Sequence, residues 1–276
     1  MIVFSNKPGQ LGNMLFIYAN LLAYGLEHGV NVRNPAFYEY QSYFTGTHQR
    51  SSFLSKLAYG FCFYAARLLD KLKIRLPFVS ATCLNWHEGF DLDARGQELD
   101  KALCLLQGWQ YRAPQSVHKH QETIRNFFSP AEQHARAISA FFEAKFDLQN
   151  EILIGVHIRR GDYKNFEGGK YFYDIDTYRG LMRKAAALFS EKKVHFLICS
   201  NETIDPEALR VDGAAVTMAM NHELLDMYCL ASTHYIIGPP STYSMWASAY
   251  GAVPLYQFRG QDQAMRLADF AVYSSF

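Results

Sequence analysis

From residue 151 onward the chain alternates short apolar runs with amphipathic stretches. "EILIGVHI" (151–158) is almost continuously apolar, the pattern of a strand buried on both faces of a parallel sheet. "VHFLICS" (194–200), "AAVTMAM" (214–220), "HYIIG" (234–238) and "VPLYQF" (253–258) repeat it. Helices are predicted near 177–191, from Asp205-Pro206, after Asn221, from Ser241 or Thr242, and after Asp262. Strands alternating with helices predict an α/β fold with a parallel sheet and helices on both of its faces.

The first 34 residues read as strand ("MIVFSN"), turn ("KPGQLGN"), helix and a second extended segment ("VNVRN"). Asn13 is the expected cap of that helix, and Gly29 closes it. Residues 35–110 are aromatic-rich without a clear period. A polar helical stretch, 129–149, opens at Pro130, where a first helical position tolerates proline. The domain boundary is expected inside it, giving an N-terminal domain at 1–140 and a C-terminal domain at 141–276.

Within the irregular region, 53–77 sets Phe53, Leu57, Phe61, Tyr64 and Leu68 at helical spacings. Lys56, Arg67, Lys71, Lys73 and Arg75 stand against Asp70 there. Two roles fit: an amphipathic helix packed on the N-terminal domain, the ordinary use of such a pattern, or a peripheral contact with an anionic membrane surface.

Composition narrows the class. Of 276 residues, 49% are apolar and 15% aromatic, enough for a large core or two ordinary ones. A formal charge of +1 supplies no general field for nucleic acid, so anion recognition must be local. Cys62, Cys83, Cys104, Cys199 and Cys229 are odd in number, widely spaced and free of any CxxC pair, which predicts reduced thiols in a cytoplasmic protein. The N-terminus lacks a secretory layout, and no run is long enough to span a membrane. The expected location is cytoplasmic, with the inner membrane face as the variant that 53–77 would add.

In parallel α/β sheets ligands bind beyond the C-terminal strand ends. One such end delivers His157, Arg159, Arg160 and Asp162, a second Ser200, Asn201 and Glu202, and a third Ser241 and Thr242 at a helix start. Guanidinium forks hold phosphate oxygens in pairs, and a helix N-terminus offers free N–H donors. Together they suit a diphosphate, with the second strand end reading a base or ribose. Each has a plainer explanation: arginines paired with nearby carboxylates, hydroxyls as helix caps, and His157 as a satisfied core residue. Arg160-Gly161-Asp162 is also the tripeptide of adhesion ligands, so a non-catalytic glycan-binding or adhesion protein is a competing class. The buried strand leading into it argues against display. Two DxD pairs, Asp91/Asp93 and Asp174/Asp176, are expected to be caps or solvated carboxylates, and no metal is expected.

"HIRRGDY" (157–163) resembles the HxRRxDY signature of the α-1,2-fucosyltransferases of glycosyltransferase family 11. "GQLGNMLFIYA" (9–19) is similar to that family's GGLGNQMFQYA opening, and "DMYCLASTHYIIGPPSTYSMWASAYG" (226–251) to its third segment. The three come in the family's order across nearly the whole chain. Gln10, Met14, Ile17, Pro240 and Met245 depart from it.

The resemblance implies a GT-B architecture, two Rossmann-like domains with parallel sheets facing across a cleft. It implies an inverting, metal-independent transfer of L-fucose from GDP-β-L-fucose to a galactoside hydroxyl, in an α-1,2 linkage. The acceptor would be an oligosaccharide or a lipid-linked glycan. His157 and Arg159 match positions lining the nucleotide, and Ser241 and Thr242 match a serine pair near the β-phosphate. Gly12 and Asn13 match the loop closing from the N-terminal side. Arg160 would support the diphosphate or brace Asp162. A transferase using another GDP-sugar or acceptor is the alternative. Tethered to an arginine, Asp162 would be a poor base; Glu88, His87 and Glu167 are other candidates, and the base stays unassigned.

Overall fold

A computed structural model describes residues 1–47, 52–74, 76–260, 264–274 and 276. The chain divides into two compact units, Met1–Glu132 with Phe276, and Gln133–Ser274. The division falls after Glu132, inside the 129–149 stretch and ahead of residue 140, and the extreme C-terminus packs with the first unit.

The first unit opens with β1 (Ile2–Phe4), α1 (Leu11–His28) and β2 (Val32–Arg33). Then come α2 (Ser52–Lys71), β3 (Val79–Cys83), β4 (Gly89–Asp91) and α3 (Leu92–Arg95). β5 (Leu103–Gln107), β6 (Gln110–Arg112), α4 (Pro114–Lys119) and α5 (Gln121–Phe127) complete it. β2-β1-β5-β3 form a parallel sheet, and β4 pairs with β6. β1 is central because both its neighbours align on it, Ile2 with Val32 on one side and with Cys104 on the other. α1 does not begin at Asn13. Gly9 turns the chain at φ +70°, Gln10 occupies the cap position without capping the helix through its side chain, and Asn13 lies in the first turn. Gly29 ends α1 in the left-handed conformation, as its lack of Cβ allows.

α6 (Glu132–Lys145) follows, and Pro130 precedes it in a bridge with Phe44. The second unit then alternates β7 (Glu151–Ile158), α7 (Ile175–Ala187), β8 (Lys193–Ser200) and β9 (Ala214–Met218). It continues with α8 (Glu223–Leu230), β10 (Tyr235–Gly238), α9 (Thr242–Gly251) and β11 (Leu255–Gln257). The sheet order is β11-β10-β7-β8-β9, and every pairing is parallel. Chain order thus reverses between β7 and β10, the switch point where such sheets open a ligand crevice. Ile154, Val156, Phe196 and Ile237 are fully or almost fully buried, which is why these strands read as unbroken apolar runs. The helix expected after Asp262 begins among residues outside the described ones; beyond them only a short 3₁₀ turn, Leu267–Asp269, is present.

Gly251, at the end of α9, permits a close backbone approach. A Cβ there would overlap the Ala231 carbonyl oxygen and lie 2.8 Å from its carbon. Gly251→Ala must push α9 away from the end of α8, a backbone shift costing about 1–3 kcal/mol. Urea unfolding should show a lowered midpoint, and an unchanged midpoint would mean that the two helices do not pack this closely.

Among the described residues no helix is long and apolar enough to cross a membrane, and all five cysteines are free thiols.

Candidate active site

Three strand ends of the second unit converge on one cluster. β7 runs out at Ile158, and the next two residues are arginines held in different ways. The Arg159 N–H donates to Tyr178 Oη at 3.2 Å, and its Nη2 donates to Asp162 Oδ2 at 2.7 Å. The Arg159 side chain is only 13% exposed, with its guanidinium 5.4 Å from the Tyr163 ring centre. The Arg160 N–H donates to Asn201 Oδ1 at 3.1 Å. Its Nε lies 3.2 Å from Glu202 Oε1, and its guanidinium sits over Phe172.

Asn201 binds the turn together. While its Oδ1 accepts from Arg160, its Nδ2 donates to Asp162 Oδ1 at 3.3 Å. Both carboxylate oxygens of Asp162 therefore accept a bond, one from each side of the turn. Glycine at 161 follows from this: a Cβ there would stand 2.7 Å from Asn201 Nδ2. Ser200 contributes indirectly, its Oγ accepting from the Glu202 N–H at 3.2 Å. The Arg-Gly-Asp tripeptide is thus a held turn whose charged groups face Asn201, Glu202 and Phe172. That arrangement is unlike a displayed adhesive loop.

The third strand end joins through Tyr163, whose Oη donates to the Pro240 carbonyl at 2.8 Å. Burial pushes the Tyr163 phenol up, and its bond with Ser241 pulls it back. Ser241 caps α9, its Oγ accepting from the Tyr243 N–H at 3.3 Å, and Thr242 is the first helical residue. The expected cap is present, at the helix start beside the arginine turn.

His157 is buried, as the apolar run around it requires, but it is not a satisfied core histidine. Its Nδ1 has no hydrogen-bond partner among the described residues. The ring lies 4.8 Å from that of Tyr243 at 31°. Burial, with the neighbouring Arg159 charge, lowers its pKa to about 3, so the ring is neutral at physiological pH.

Gly12 and Asn13 belong to the first unit, in the opening turn of α1. His87 stacks on Trp86 in that unit, and Glu88 accepts from the Asn85 N–H at 2.7 Å. Glu167 lies in the second unit in a turn with φ +46°. All four DxD carboxylates have local partners. Asp91 caps α3 and Asp174 caps α7; Asp93 accepts from Ser116 and Gln115, and Asp176 pairs with Arg179.

Sequence reasoning passed over Tyr163, Tyr178 and Asp226. Asp226 is 5% exposed, accepts from the Met220 N–H at 2.9 Å, and has its pKa raised by burial to about 6. The signal was a lone carboxylate inside the apolar run "LLDMYCL". Tyr163 closes the "HIRRGDY" motif but was given no role, and Tyr178 left no mark at all, because a buried tyrosine looks like any core aromatic until its hydroxyl's partner is known.

No family model and no curated protein sequence matches this chain. Solved structures match across nearly its whole length. FUT1 of Arabidopsis thaliana, as a variant in complex with GDP, superposes at a TM-score of 0.68 and 15% identity over 98% of this chain and 73% of that one. NodZ α-1,6-fucosyltransferase, known from Bradyrhizobium and here soaked with GDP-fucose, gives 0.55 and 16% over 98% and 96%. POFUT1 in complex with GDP-fucose gives 0.53 and 10% over 95% of each chain. At such identities the likeness is one of fold. The chain has the α/β fold of the GT-B class, with parallel sheets. Within that class its fold is the one shared by these GDP- and GDP-fucose-bound proteins.

Proposed function

We propose that this chain is a glycosyltransferase that moves L-fucose from GDP-β-L-fucose to a galactoside hydroxyl. The transfer would proceed with inversion, in an α-1,2 linkage, and without a catalytic metal. The observation that carries the reading is the Arg159–Asp162–Asn201 turn at the sheet's switch point, beside the Ser241-capped start of α9. Similar folds solved with GDP or GDP-fucose support the donor, and the "HIRRGDY" resemblance supports the sugar and linkage. The acceptor in this reading is an oligosaccharide or a lipid-linked glycan.

In the proposed reaction the acceptor hydroxyl oxygen bonds to the anomeric carbon and gives up its proton to a base as the bond from that carbon to the β-phosphate oxygen breaks. The electron pair leaves with GDP. Positive charge grows on the sugar and negative charge on the diphosphate. Fixed donors aimed at the growing negative charge lower the barrier because they need no reorganisation as it forms. Arg159, held by Asp162, and the N–H groups opening α9 are those donors here, with Ser241 and Thr242 adding hydroxyls. Arg160, Ser200 and Asn201 shape the adjoining nucleotide wall with the neutral His157. Asp162, with both oxygens accepting bonds, is a brace in this reading rather than the base.

Incubation with GDP-fucose and a panel of β-galactosides should release GDP and form product, equally with and without EDTA. Absence of GDP binding would sink the reading, and loss of transfer in EDTA would refute metal independence. Release from GDP-mannose but not from GDP-fucose would move the assignment to another GDP-sugar.

A further inference from the structure

α2 has two apolar faces, and only one of them is used for packing. Cys62, Ala65, Ala66 and Leu69 lie against Val3 and Leu105 of the first unit's sheet. Such short side chains let the helix sit close. At 100° per residue, Phe53, Leu57, Phe61, Tyr64, Leu68 and Leu72 fall within an arc of about 100° on another face. That face points into solvent, with Phe61 77% and Tyr64 73% exposed. Among the described residues, ten of the eighteen exposed large apolar side chains fall between Phe53 and Phe78. The amphipathic pattern of this segment is therefore not explained by packing on its own domain. A contiguous exposed apolar patch on a folded unit marks an interaction surface.

Charge selects the occupant. On the same wheel Lys56, Arg67 and Lys71, all exposed, run along one border of the stripe. The acid of the helix's last turns, Asp70, is 3.1 Å from Lys73 Nζ, which takes up its charge locally. An apolar band edged by cations fits an interfacial helix, with its band at the headgroup boundary and its cations on lipid phosphates. A second copy packed on this stripe would bring like cations to a shared seam. The exposed Ile74 and Phe78 extend the apolar surface past the end of the helix.

We propose that α2 seats the first unit on an anionic lipid bilayer, lying in the interface plane. Phe61, Tyr64 and Leu68 enter the acyl boundary, and Lys56, Arg67 and Lys71 meet the phosphates.

The test is co-sedimentation of the whole chain with phosphatidylcholine vesicles made with and without phosphatidylglycerol, in the absence of any nucleotide. Vesicle binding is thus read apart from transfer, and failure of one leaves the other standing. Binding is expected only with phosphatidylglycerol, weakening as salt shortens the screening length from ~10 Å at 0.1 M to ~3 Å at 1 M. The Lys56→Glu/Arg67→Glu/Lys71→Glu variant should bind at least on the order of 100-fold more weakly, about five-fold for each cation lost. Phe61→Ser/Leu68→Ser should lose binding with no fall in melting temperature, since neither side chain packs in the core. Equal binding to both vesicle types, or binding unchanged in either variant, overturns the proposal. So does a concentration-dependent dimer that Phe61→Ser/Leu68→Ser abolishes while no vesicle is bound.

Discussion

Arg159→Ala is expected to lower transfer by roughly 100-fold or more, the size of effect seen when one fixed donor to a developing anion is removed. The reason lies in how the side chain is held. Asp162 fixes Nη2 at 2.7 Å, the backbone N–H is tied to Tyr178, and little of the side chain is exposed. Its orientation is therefore set before any ligand arrives, and substrate binding does not have to order it. Arg159→Lys keeps the charge but loses the planar fork, so it should recover only part of the rate. The loss should fall on kcat with the melting temperature nearly kept. Full activity in the alanine variant would remove Arg159 from the mechanism. A collapse of melting temperature in both variants would make its role structural.

The second large effect concerns His157 and pH. Its folded-state pKa of about 3 lies below the ordinary 6.5. As pH falls through 6.5 the unfolded chain gains a proton on this ring and the folded chain does not. The stabilisation from the neutral ring is complete above 6.5 and is lost as pH falls towards 3, on the order of 5 kcal/mol in all. Asp226 acts in the opposite direction. Its folded pKa of about 6 exceeds the ordinary 3.8, so its contribution is complete below 3.8 and lost as pH rises through 6, roughly 3 kcal/mol. The two slopes oppose one another between about pH 4 and 6, where stability should be nearly flat on their account. Single substitutions separate them. His157→Gln should become more stable relative to wild type as pH falls from about 6.5 to 4, and Asp226→Asn less stable. Urea unfolding at stepped pH reads both. A His157→Gln profile parallel to wild type would show that the ring is not buried neutral in the fold.

The second unit could be read from the sequence because its strands are covered on both faces. That burial writes each of them as an apolar run bounded by turn residues, and the helix caps Asp174, Asp205 and Ser241 are local features. The first unit could not be read so well. Its strand β5, "LCLLQ", sits in an aromatic-rich region where short apolar runs have no period of their own. It becomes a sheet strand only by pairing with β1 and β3. The cap expected at Asn13 moved because the positive φ of Gly9 turned the chain earlier, a backbone conformation that residue types alone leave optional.

At the site, the residue order placed two arginines after a buried strand and a hydroxyl pair at a helix start. Arg159 meets Asp162 three residues on, but what braces that pair and which acid Arg160 meets depend on groups distant in the chain. Asn201 reaches back to Asp162 and the Arg160 amide, and Tyr163 reaches forward to Pro240. For α2, the spacing of apolar residues specified a helix with apolar faces and a basic border. The sheet decided which face is buried: only the small side chains of Cys62, Ala65 and Ala66 allow the helix close to β1 and β5, leaving the large aromatic and aliphatic stripe in solvent.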